Sequence, residues 1–549
     1  MSVWDTLVTP TADIAAGYRA AGWWRDSTFL DDLAADVLAR GDHPALIAYA
    51  ATEHARILTY TELANTVERF ASALRELGVR RGDVVALYLP NLWLLTPLYL
   101  ACHRIGAVSS PVIPVMGTRE LGRNLAATDA KVCVTVDAFN DIDCAARLAE
   151  AAGAHVRRVV VGAATPTDAI DFDEFFVRTP WEDRRPVPPA DRLGPDEPAQ
   201  MIYTSGTSGV MKAVVHSQNT LYAAVRTVSE PHRLTEDDVI TVASLATGMA
   251  GMAYAVYMSL FLGATCVVQD RNTDMALLRD LIAAHRVTWL YSAPANLVNL
   301  LAAQENDPRD TTSLDKIVAG SAPVQPQVIT HVRDVFGVPL YALWGMTENG
   351  AVTLTRPDDP DGWAAESDGR PMPWMEVRID AEPGAEAGRL LVRGASQCLG
   401  YLGQRDTYEA CLDADGWFDT GDLAKDDGRG GIRITGRRAD LITRANGLKV
   451  ATLDVEAVLQ RHPGIIEVVM VGYPDPNVPG GDLVCAIVVH TWPPLTLKQV
   501  HEYLAAEGVA EWLWPDRIQY VSVIPRNPLG KILRQPLRER LEIASSRRR

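Results

Sequence analysis

The sequence predicts an α/β fold with largely parallel sheets, on three observations. From about residue 60 onward, short runs rich in β-branched residues alternate with amphipathic runs, which is typical of α/β layers. The chain has 549 residues, which suggests three or four folding units. Hydrophobic residues make up 48% and charged residues 22% of the chain, so the composition is that of a globular protein and excludes a disordered or fibrous one.

The first regular elements are predicted to be a helix and three strands. Residues 62–77 are predicted to form a helix because apolar residues recur there at steps of three and four. These apolar residues are Leu63, Val67, Phe70, Leu74 and Leu77. The apolar runs 84–89, 132–136 and 158–161 are predicted to be strands.

Prolines and glycines divide the rest of the large N-terminal region. The stretch 166–198 contains seven prolines and is predicted to be an irregular surface connection between two α/β lobes. A second α/β run covers about 200–350. Shorter, glycine-rich runs over 369–435 predict a small β-rich lobe.

After Gly436 the pattern changes to that of a compact α+β unit. Helices are predicted at 454–461 and 500–506, and strands at 468–471 and 484–489. We therefore expect two domains, one of residues 1–437 and a smaller one of residues 438–549.

Charge and cysteine content exclude several classes of protein. Lys and Arg number 52 against 69 Asp and Glu, and the net charge of −17 argues against a nucleic-acid scaffold, which would carry a basic surface. The seven cysteines are scattered singly, which argues against a structural zinc site and is typical of a reducing cytoplasm. The N-terminus lacks the basic and apolar regions of a signal peptide, so we expect a cytoplasmic protein.

One uncharged stretch raises the question of a membrane span. Residues 239–269 carry no charge and are long enough to cross a bilayer. Glycines, a serine and threonines interrupt the stretch, however, which favours a buried strand followed by a buried helix. We therefore expect no membrane span.

A loop rich in hydroxyls and glycines follows a strand-like run near residue 203. Glycines let backbone amides approach an anion, hydroxyls donate to phosphate oxygens, and a lysine neutralises charge. The spacing differs from the Walker pattern, and taken alone the loop is as compatible with a flexible polar turn. The loop reads Tyr203-Thr204-Ser205-Gly206-Thr207-Ser208-Gly209-Val210-Met211-Lys212.

Three more segments carry residue types suited to nucleotide chemistry. Trp344-Gly345-Met346-Thr347-Glu348 combines an aromatic that can stack on a purine with a carboxylate that can hold Mg²⁺, although a turn with a solvated Glu348 is the simpler interpretation of this segment alone. Carboxylates suited to ribose hydroxyls, or to β-turns, lie in 416–422 and 436–440. In 525–531 proline and glycine frame Lys531, which could stabilise developing negative charge or be a solvated surface lysine.

Together, and in this order, these segments resemble the motifs of the adenylate-forming superfamily of acyl-CoA synthetases, peptide-synthetase adenylation domains and luciferases, over about residues 45–540. The nearest resemblance is to cyclohexanecarboxylate- and aryl-acid-type CoA ligases. The resemblance implies a large domain of two α/β lobes and a β-rich lobe, with a small mobile C-terminal domain. It also implies that an acid and ATP form an acyl-adenylate, which then passes its acyl group to coenzyme A. The implied cofactors are ATP, Mg²⁺ and CoA.

The resemblance also implies roles for individual residues. Lys531, Thr347 and Glu348 would be catalytic, with Glu348 also the Mg²⁺ ligand. Ala439 would be the hinge, and Gly447 and Lys449 would line the pantetheine tunnel. The nucleotide would be bound by Thr204, Ser205, Gly206, Thr207, Lys212, Gly320, Ser321, Ala322, Trp344, Asp422 and Arg437, the last two at the ribose.

Departures from the family pattern leave two further hypotheses open. Met211 and Ala213 stand where proline and glycine commonly flank the loop lysine, and Trp344 stands where a smaller aromatic is common. These changes affect ATP use most, so the alternative is an enzyme with weak or no adenylation that takes acyl-AMP from a separate adenylating enzyme. A non-catalytic binding protein on the same fold is the third hypothesis, and the retained Lys212 and Lys531 count against it.

The acyl pocket is expected at Thr247, Gly248, Met249 and Met252. Small residues and methionines leave a roomy, adaptable apolar cavity, which favours a bulky alicyclic, polycyclic or medium-to-long aliphatic acid. The alternative is that the two methionines are ordinary core residues. The expected partners are this acid, ATP or acyl-AMP, and CoA, in bacterial secondary metabolism or acid catabolism. A carrier-protein acceptor and a homodimer are left open.

Overall fold

The structure is a computed structural model in which the chain is described in eight ranges. These ranges are 3–50, 53–205, 211–271, 274–444, 449–450, 452–475, 482–526 and 532–546. Regular elements belong to three larger sheets, several small ones and helices packed against them, and the predicted α/β class is confirmed.

The first sheet holds the strands predicted at 84–89, 132–136 and 158–161. Its centre is parallel, and Val85 pairs with Ser109 on one side and Val132 on the other. The central strands are buried on both faces, which is why they read as continuous apolar runs. The strands lie in the order Gly400–Tyr401, Met211–Ser217, Pro198–Ser205, Val108–Val112, Val84–Tyr88, Val132–Val136, Arg157–Val161 and Ile170–Asp171.

The second sheet shows that the two α/β lobes are interleaved along the chain. The prediction that residues 200–350 form the second lobe is wrong at its start, because the hairpin at 198–217 pairs with a strand of the first sheet. Conversely, Pro44–Ala50 pairs in parallel with Thr265–Gln269 in the second sheet. Local periodicity does not encode pairing between distant segments. The order is Arg370–Pro371, Gly350–Leu354, Leu340–Met346, Lys316–Ala319, Trp289–Ser292, Val239–Ala243, Thr265–Gln269, Pro44–Ala50 and Glu53–Thr59.

The third sheet and the C-terminal sheets lie where the sequence predicts a β-rich lobe and then an α+β unit. The third sheet is antiparallel, with strands Met375–Asp380, Ala387–Gly394, Phe418–Asp426 and Ile432–Arg437. Beyond it, two hydrophobic clusters are built from residues between 442 and 541, so this region has cores of its own. The domain boundary at 437/438 stays a prediction. The C-terminal strands are Ile442–Thr443 with Lys449–Val450, and Ile465–Pro474, Asp482–His490 and Arg517–Tyr520; a small hairpin, Ala138–Phe139 with Ile142–Asp143, lies in the N-terminal region.

Helices cover the sheets, and the helix predicted at 62–77 is confirmed as Tyr60–Glu76. It begins with a capping box in which Thr59 and Glu62 exchange hydrogen bonds. Four residues of its predicted apolar stripe are buried, and the fifth, Leu77, is half-buried just after the helix end. The other α-helices are Ala12–Ala20, Phe29–Arg40, Leu95–Arg104, Thr118–Ala127, Cys144–Ala151, Trp181–Arg184, Gln218–His232, Met249–Met252, Ser259–Leu262, Met275–Ala284, Pro294–Asn306, Pro326–Phe336, Arg405–Glu409, Thr452–Leu459, Leu497–Ala506 and Arg534–Ser546.

The proline-rich connection over 166–198 is more ordered than the composition predicted. It contains a turn of π-helix, Asp173–Arg178, directly after a short strand of the first sheet. Phe172 and Phe176 stack with ring centroids 4.9 Å apart and meet Phe70 edge-on, and all three are fully buried. Burial of these aromatic rings fixes a segment that its prolines alone would leave irregular.

The uncharged stretch over 239–269 is a buried strand followed by buried helical turns and a second strand. The helical part comprises Met249–Met252, the π-helix Ala253–Met258 and Ser259–Leu262. Its centre, 251–260, is buried, and the residues at its two ends are partly buried. Within the described ranges, no helix is both long enough and apolar enough to cross a membrane.

A partly buried carboxylate makes the stability of the N-terminal helix Phe29–Arg40 depend on pH. Burial, and then the charge of Asp32 one turn earlier, raise the pKa of Asp36 to about 7. The folded state therefore binds the proton of the Asp36 carboxyl more tightly than the unfolded chain does. Ionisation of Asp36 lowers the free energy of unfolding progressively as pH rises from about 4 to about 7. Asp36→Asn is expected to stabilise the protein by about 1 kcal/mol at pH 8, after allowance for partial exposure, and by much less at pH 4.5.

Paired thermal melts at the two pH values measure this difference. Asp141→Asn, at an exposed hairpin turn, is the matched control and should leave the melting temperature unchanged at both. A gain in stability that is equal at pH 4.5 and pH 8 would show that ionisation of Asp36 is not its cause.

Candidate active site

The strand hairpin at 198–217 places the predicted phosphate-binding residues at one end of the first sheet. Thr204 pairs with Lys212 and Ser205 with Met211, so the loop between them joins two paired strands. Gly206 and Thr207 lie outside the described residues, as does the side chain of Ser205. The Lys212 ammonium is therefore held by a strand rather than by the loop itself.

Lys212 and Glu348, which are far apart in sequence, meet at one tyrosine. The Lys212 Nζ lies 4.6 Å from the centroid of the Tyr401 ring, and the Tyr401 hydroxyl donates a 2.8 Å hydrogen bond to Glu348 Oε1. Glu348 and Tyr401 are both buried, with 6% and 1% of their surfaces exposed. The sequence analysis missed Tyr401, because it stands in no motif that was singled out.

A second missed residue, His216, holds the backbone of Thr347. The ring is fully buried, and Nε2 donates to the Thr347 carbonyl oxygen at 2.7 Å, since a carbonyl can only accept. On its other side Nδ1 lies 3.0 Å from the Thr220 hydroxyl. Burial lowers the pKa of His216 to about 4, so the ring is neutral near pH 7. The only available sequence signal was a histidine at the end of a strand.

Trp344, Asp422 and Arg437 form a connected cluster between the second and third sheets. The Trp344 indole N–H donates to Asp422 Oδ2 at 3.0 Å, and the Arg437 Nε lies 2.9 Å from Asp422 Oδ1. Asp422 and Arg437 also pair directly across neighbouring strands. The carboxylate and the indole are buried, whereas Arg437 is exposed. The indole and the guanidinium thus hold the two oxygens of the Asp422 carboxylate, which can accept hydrogen bonds from hydroxyl groups.

The segment predicted to border the nucleotide follows a strand of the second sheet and lies beside Trp344. A Cβ added to Gly320 would be 3.0 Å from the carbonyl oxygen of Leu343, the residue before Trp344. Ser321 adopts a left-handed backbone with φ of 70°, and its hydroxyl lies 2.9 Å from that of Tyr291. Ser321 and Ala322 are exposed, so they face outward from this strand end.

The predicted acyl-pocket residues lie on the turn before and within the helix Met249–Met252. Thr247 is 3% exposed, and its hydroxyl has no hydrogen-bond partner among the described residues. Gly248 caps the helix, and a Cβ added to Gly350 would be 2.9 Å from the Met249 methyl group. Met249 therefore packs against the strand that follows Glu348, whereas Met252 is fully buried in the main hydrophobic core.

The remaining predicted residues belong to the C-terminal region. Gly447 and Lys531 lie outside the described residues, and of Lys449 only the backbone, in strand Lys449–Val450, is described. Ala439 is the middle residue of the short helix Arg438–Asp440. Its neighbour Arg438 forms a 2.7 Å ion pair with Asp419 of the third sheet. In the part of the chain that is described, no group of three His, Cys, Asp or Glu side chains is arranged to hold a metal ion.

Two family models match this chain. The model for the AMP-binding enzyme matches residues 33–402, and the model for the AMP-binding enzyme C-terminal domain matches residues 454–531. The first match covers more than half of the chain.

Curated relatives match the chain over nearly its whole length. A salicyl-AMP ligase / salicyl-S-ArCP synthetase of Mycobacterium tuberculosis is 32% identical, over 97% of this chain and 94% of the relative. A (7a-methyl-1,5-dioxo-octahydro-1H-inden-4-yl)propanoyl:CoA ligase of the same organism is 31% identical, over 91% of this chain and 96% of the relative.

A solved structure shares the fold. An anthranilate CoA ligase in complex with anthranoyl-AMP superposes with a TM-score of 0.82, covering 95% of this chain and 98% of that one. At 21% identity this likeness concerns the fold alone.

Proposed function

The chain belongs to the AMP-binding enzyme family, and we propose from this premise that it converts a bulky carboxylic acid into its CoA thioester through an acyl-adenylate. Its general activity is that of an AMP-forming acid–thiol ligase. The observation that carries the proposal is the meeting of Lys212 and Glu348 at Tyr401, because it brings a half-buried cation for phosphates and a buried carboxylate for Mg²⁺ into one site.

In the adenylation step, an oxygen of the acid attacks the α-phosphorus of ATP. The bond from this phosphorus to the bridging oxygen breaks, and pyrophosphate leaves. Lys212 would neutralise phosphate charge, and Glu348 would offer a carboxylate oxygen to Mg²⁺, a hard cation that prefers oxygen ligands and would offset further negative charge on ATP. Thr347, whose carbonyl is held by His216, lies next to this carboxylate in the chain. Lys531 is proposed to stabilise the charge that develops in this step.

Asp422 is proposed to accept hydrogen bonds from the two ribose hydroxyls, and Trp344 to lie against the adenine. Support comes from the cluster in which the Trp344 indole and the Arg437 guanidinium hold the two Asp422 oxygens at 3.0 and 2.9 Å. A carboxylate fixed in this way needs little reorganisation to receive a diol. Ser321 and Ala322, which are exposed after the strand Lys316–Ala319, would complete the nucleotide site.

In the transfer step, the sulfur of CoA attacks the acyl carbonyl carbon. The bond between this carbon and the AMP oxygen breaks, AMP leaves, and the thiol proton passes to solvent. Gly447 and Lys449 are proposed to line the path of the pantetheine arm. Ala439 is proposed as the hinge between the two steps, and the Arg438–Asp419 ion pair beside it would have to break or shift when the C-terminal domain turns.

The substrate is proposed to be a bulky, largely apolar acid. Thr247, Gly248, Met249 and Met252 are proposed to line the acyl pocket, where small and flexible side chains would accommodate volume rather than charge. One relative is named for a CoA ligase of a bicyclic acid, which supports an alicyclic or polycyclic substrate here. Another is named for salicylate and a carrier protein, which keeps a carrier-bound thiol as an alternative acceptor.

Two assays run in parallel test this function. One supplies ATP, Mg²⁺ and CoA with a panel of cyclic and aliphatic acids, and the other supplies synthetic acyl-AMP and CoA. Thioester in both assays is expected, with bicyclic acids preferred over salicylate. Thioester from acyl-AMP alone would overturn the adenylation step and point to a separate adenylating enzyme, and no thioester in either assay would overturn the proposal.

A further inference from the structure

Tyr401 stands where three parts of the chain meet, although it belongs to no nucleotide motif. Its short strand, Gly400–Tyr401, forms the edge of the first sheet, where Tyr401 pairs with Val214 two residues after Lys212. The same segment reaches Glu348 through its backbone, because the Cys398 N–H donates to the Glu348 carbonyl oxygen at 2.7 Å. Glu348 is therefore tied to this edge strand at both its main chain and its side chain.

The hydroxyl of Tyr401 is the donor in its bond to Glu348. A tyrosine hydroxyl has one hydrogen to donate, and a carboxylate oxygen accepts it. An ionised carboxylate only accepts hydrogen bonds, and such a charge-assisted bond is stronger and more directional than a neutral one. The bond at 2.8 Å engages Oε1 and leaves the second carboxylate oxygen for another ligand.

The ring of Tyr401 acts on Lys212 at the same time. The ammonium lies 4.6 Å from the ring centroid, within the range of a cation–π attraction. This contact holds a long, flexible side chain in one place without neutralising its charge, as a carboxylate partner would. One residue thus orients both an anionic and a cationic group of the same site.

We infer that Tyr401 is a positioning residue for adenylation, whose hydroxyl orients Glu348 toward the Mg²⁺ of ATP and whose ring holds Lys212 ready for the phosphates. This inference rests on the proposed function, in which Glu348 and Lys212 bind Mg²⁺·ATP. The hydroxyl and the ring make separable contributions, because Tyr401→Phe removes only the first and Tyr401→Leu removes both.

Tyr408 provides a matched control within the same aromatic cluster. Its ring meets Tyr401 edge-on at 5.2 Å, and it is equally buried. Its hydroxyl donates to the Cys398 carbonyl oxygen at 3.0 Å and accepts from the Gln397 side-chain amide at 3.1 Å, whereas the Tyr401 hydroxyl donates to Glu348. Tyr408→Phe therefore removes a buried hydroxyl of the same cluster and leaves the contacts of Tyr401 with Glu348 and Lys212 in place.

The test measures Mg²⁺ dependence in wild type and the three variants. ATP–pyrophosphate exchange gives the Mg²⁺ concentration at half-maximal rate, and the thermal shift produced by ATP with and without Mg²⁺ reports binding independently of turnover. We expect Tyr401→Phe to raise the half-saturating Mg²⁺ concentration about fivefold and to reduce the Mg²⁺-dependent part of the thermal shift. Tyr401→Leu should in addition raise the KM for ATP, and thioester formation from acyl-AMP should stay close to wild type in both.

The outcomes separate this inference from the proposed function. Equal Mg²⁺ dependence in Tyr401→Phe, Tyr408→Phe and wild type would overturn the positioning role. An equal rise of the half-saturating Mg²⁺ concentration in Tyr401→Phe and Tyr408→Phe would also overturn the positioning role, because it would reflect a general loss of packing. If wild type itself shows no Mg²⁺·ATP thermal shift and no exchange with any acid, it is the proposed function that fails.

Discussion

Replacing Asp422 with alanine is expected to lower kcat/KM for ATP by about 100-fold or more, since a buried polar site that loses a required partner discriminates strongly. The substitution removes the proposed acceptor of both ribose hydroxyls. It also leaves the buried Trp344 N–H without its partner at 3.0 Å and the Arg437 guanidinium without its counter-charge. The ribose is common to ATP and acyl-AMP, so we expect both half-reactions to be impaired.

The measurement is kcat/KM in ATP–pyrophosphate exchange and in thioester formation from acyl-AMP. Asp368→Asn is the matched control, because Asp368 is a buried carboxylate of the same lobe with an arginine, Arg433, 3.5 Å away and a backbone donor at Ile434. The control should retain both activities. Undiminished use of acyl-AMP by a folded Asp422→Ala variant would contradict a ribose-binding role.

The sequence predicted most of the elements because their signals are local. The helix at 62–77 has both an apolar stripe of period 3.6 and a capping box at Thr59 and Glu62, and these agree with each other. The strands at 84–89 and 132–136 lie in the middle of a sheet covered on both faces, so their whole length is apolar. The order of strands, in contrast, depends on pairing between segments more than 200 residues apart, such as Pro44–Ala50 and Thr265–Gln269, and local patterns carry no record of it.

The candidate site also contains residues that the sequence could predict and residues that it could not. Lys212, Glu348 and Asp422 could be named from motifs, because each motif combines residue types that suit phosphate, metal or ribose. The residues that connect the motifs, His216 and Tyr401, could not be named, since a buried histidine or tyrosine has no sequence signal that separates it from ordinary core.

Trp344 makes a contact that its motif alone could not predict. From the sequence, this larger aromatic is expected to affect the use of ATP. The structure gives it an additional polar contact, because only tryptophan among the apolar aromatics has an N–H that can reach Asp422. The two residues lie in different sheets and 78 positions apart, so this link follows from the fold rather than from the motif.

Of the single changes considered, Lys531→Ala is expected to separate the two half-reactions most sharply. We expect ATP–pyrophosphate exchange to fall between about 100- and 1,000-fold, which is the usual cost of removing one preorganised group that stabilises charge in a transition state. No phosphorus–oxygen bond breaks when CoA attacks the acyl carbonyl of a preformed acyl-AMP. Thioester formation from acyl-AMP should therefore stay within about threefold of wild type.

The control for this change is Lys498→Ala, in the same C-terminal region. Lys498 is exposed on the helix Leu497–Ala506 and forms a 3.5 Å ion pair with Glu502 on the same helix, so its removal should alter neither assay. An equal loss in both assays for Lys531→Ala would contradict a role confined to adenylation. Unchanged exchange would mean that the charge developing at the α-phosphate is stabilised elsewhere, and Lys212, already held beside Glu348 by Tyr401, would then be the cation to replace. Together with Asp422→Ala, which should impair both assays, this variant distinguishes a group that binds the nucleotide throughout from one that acts only while the acid is activated.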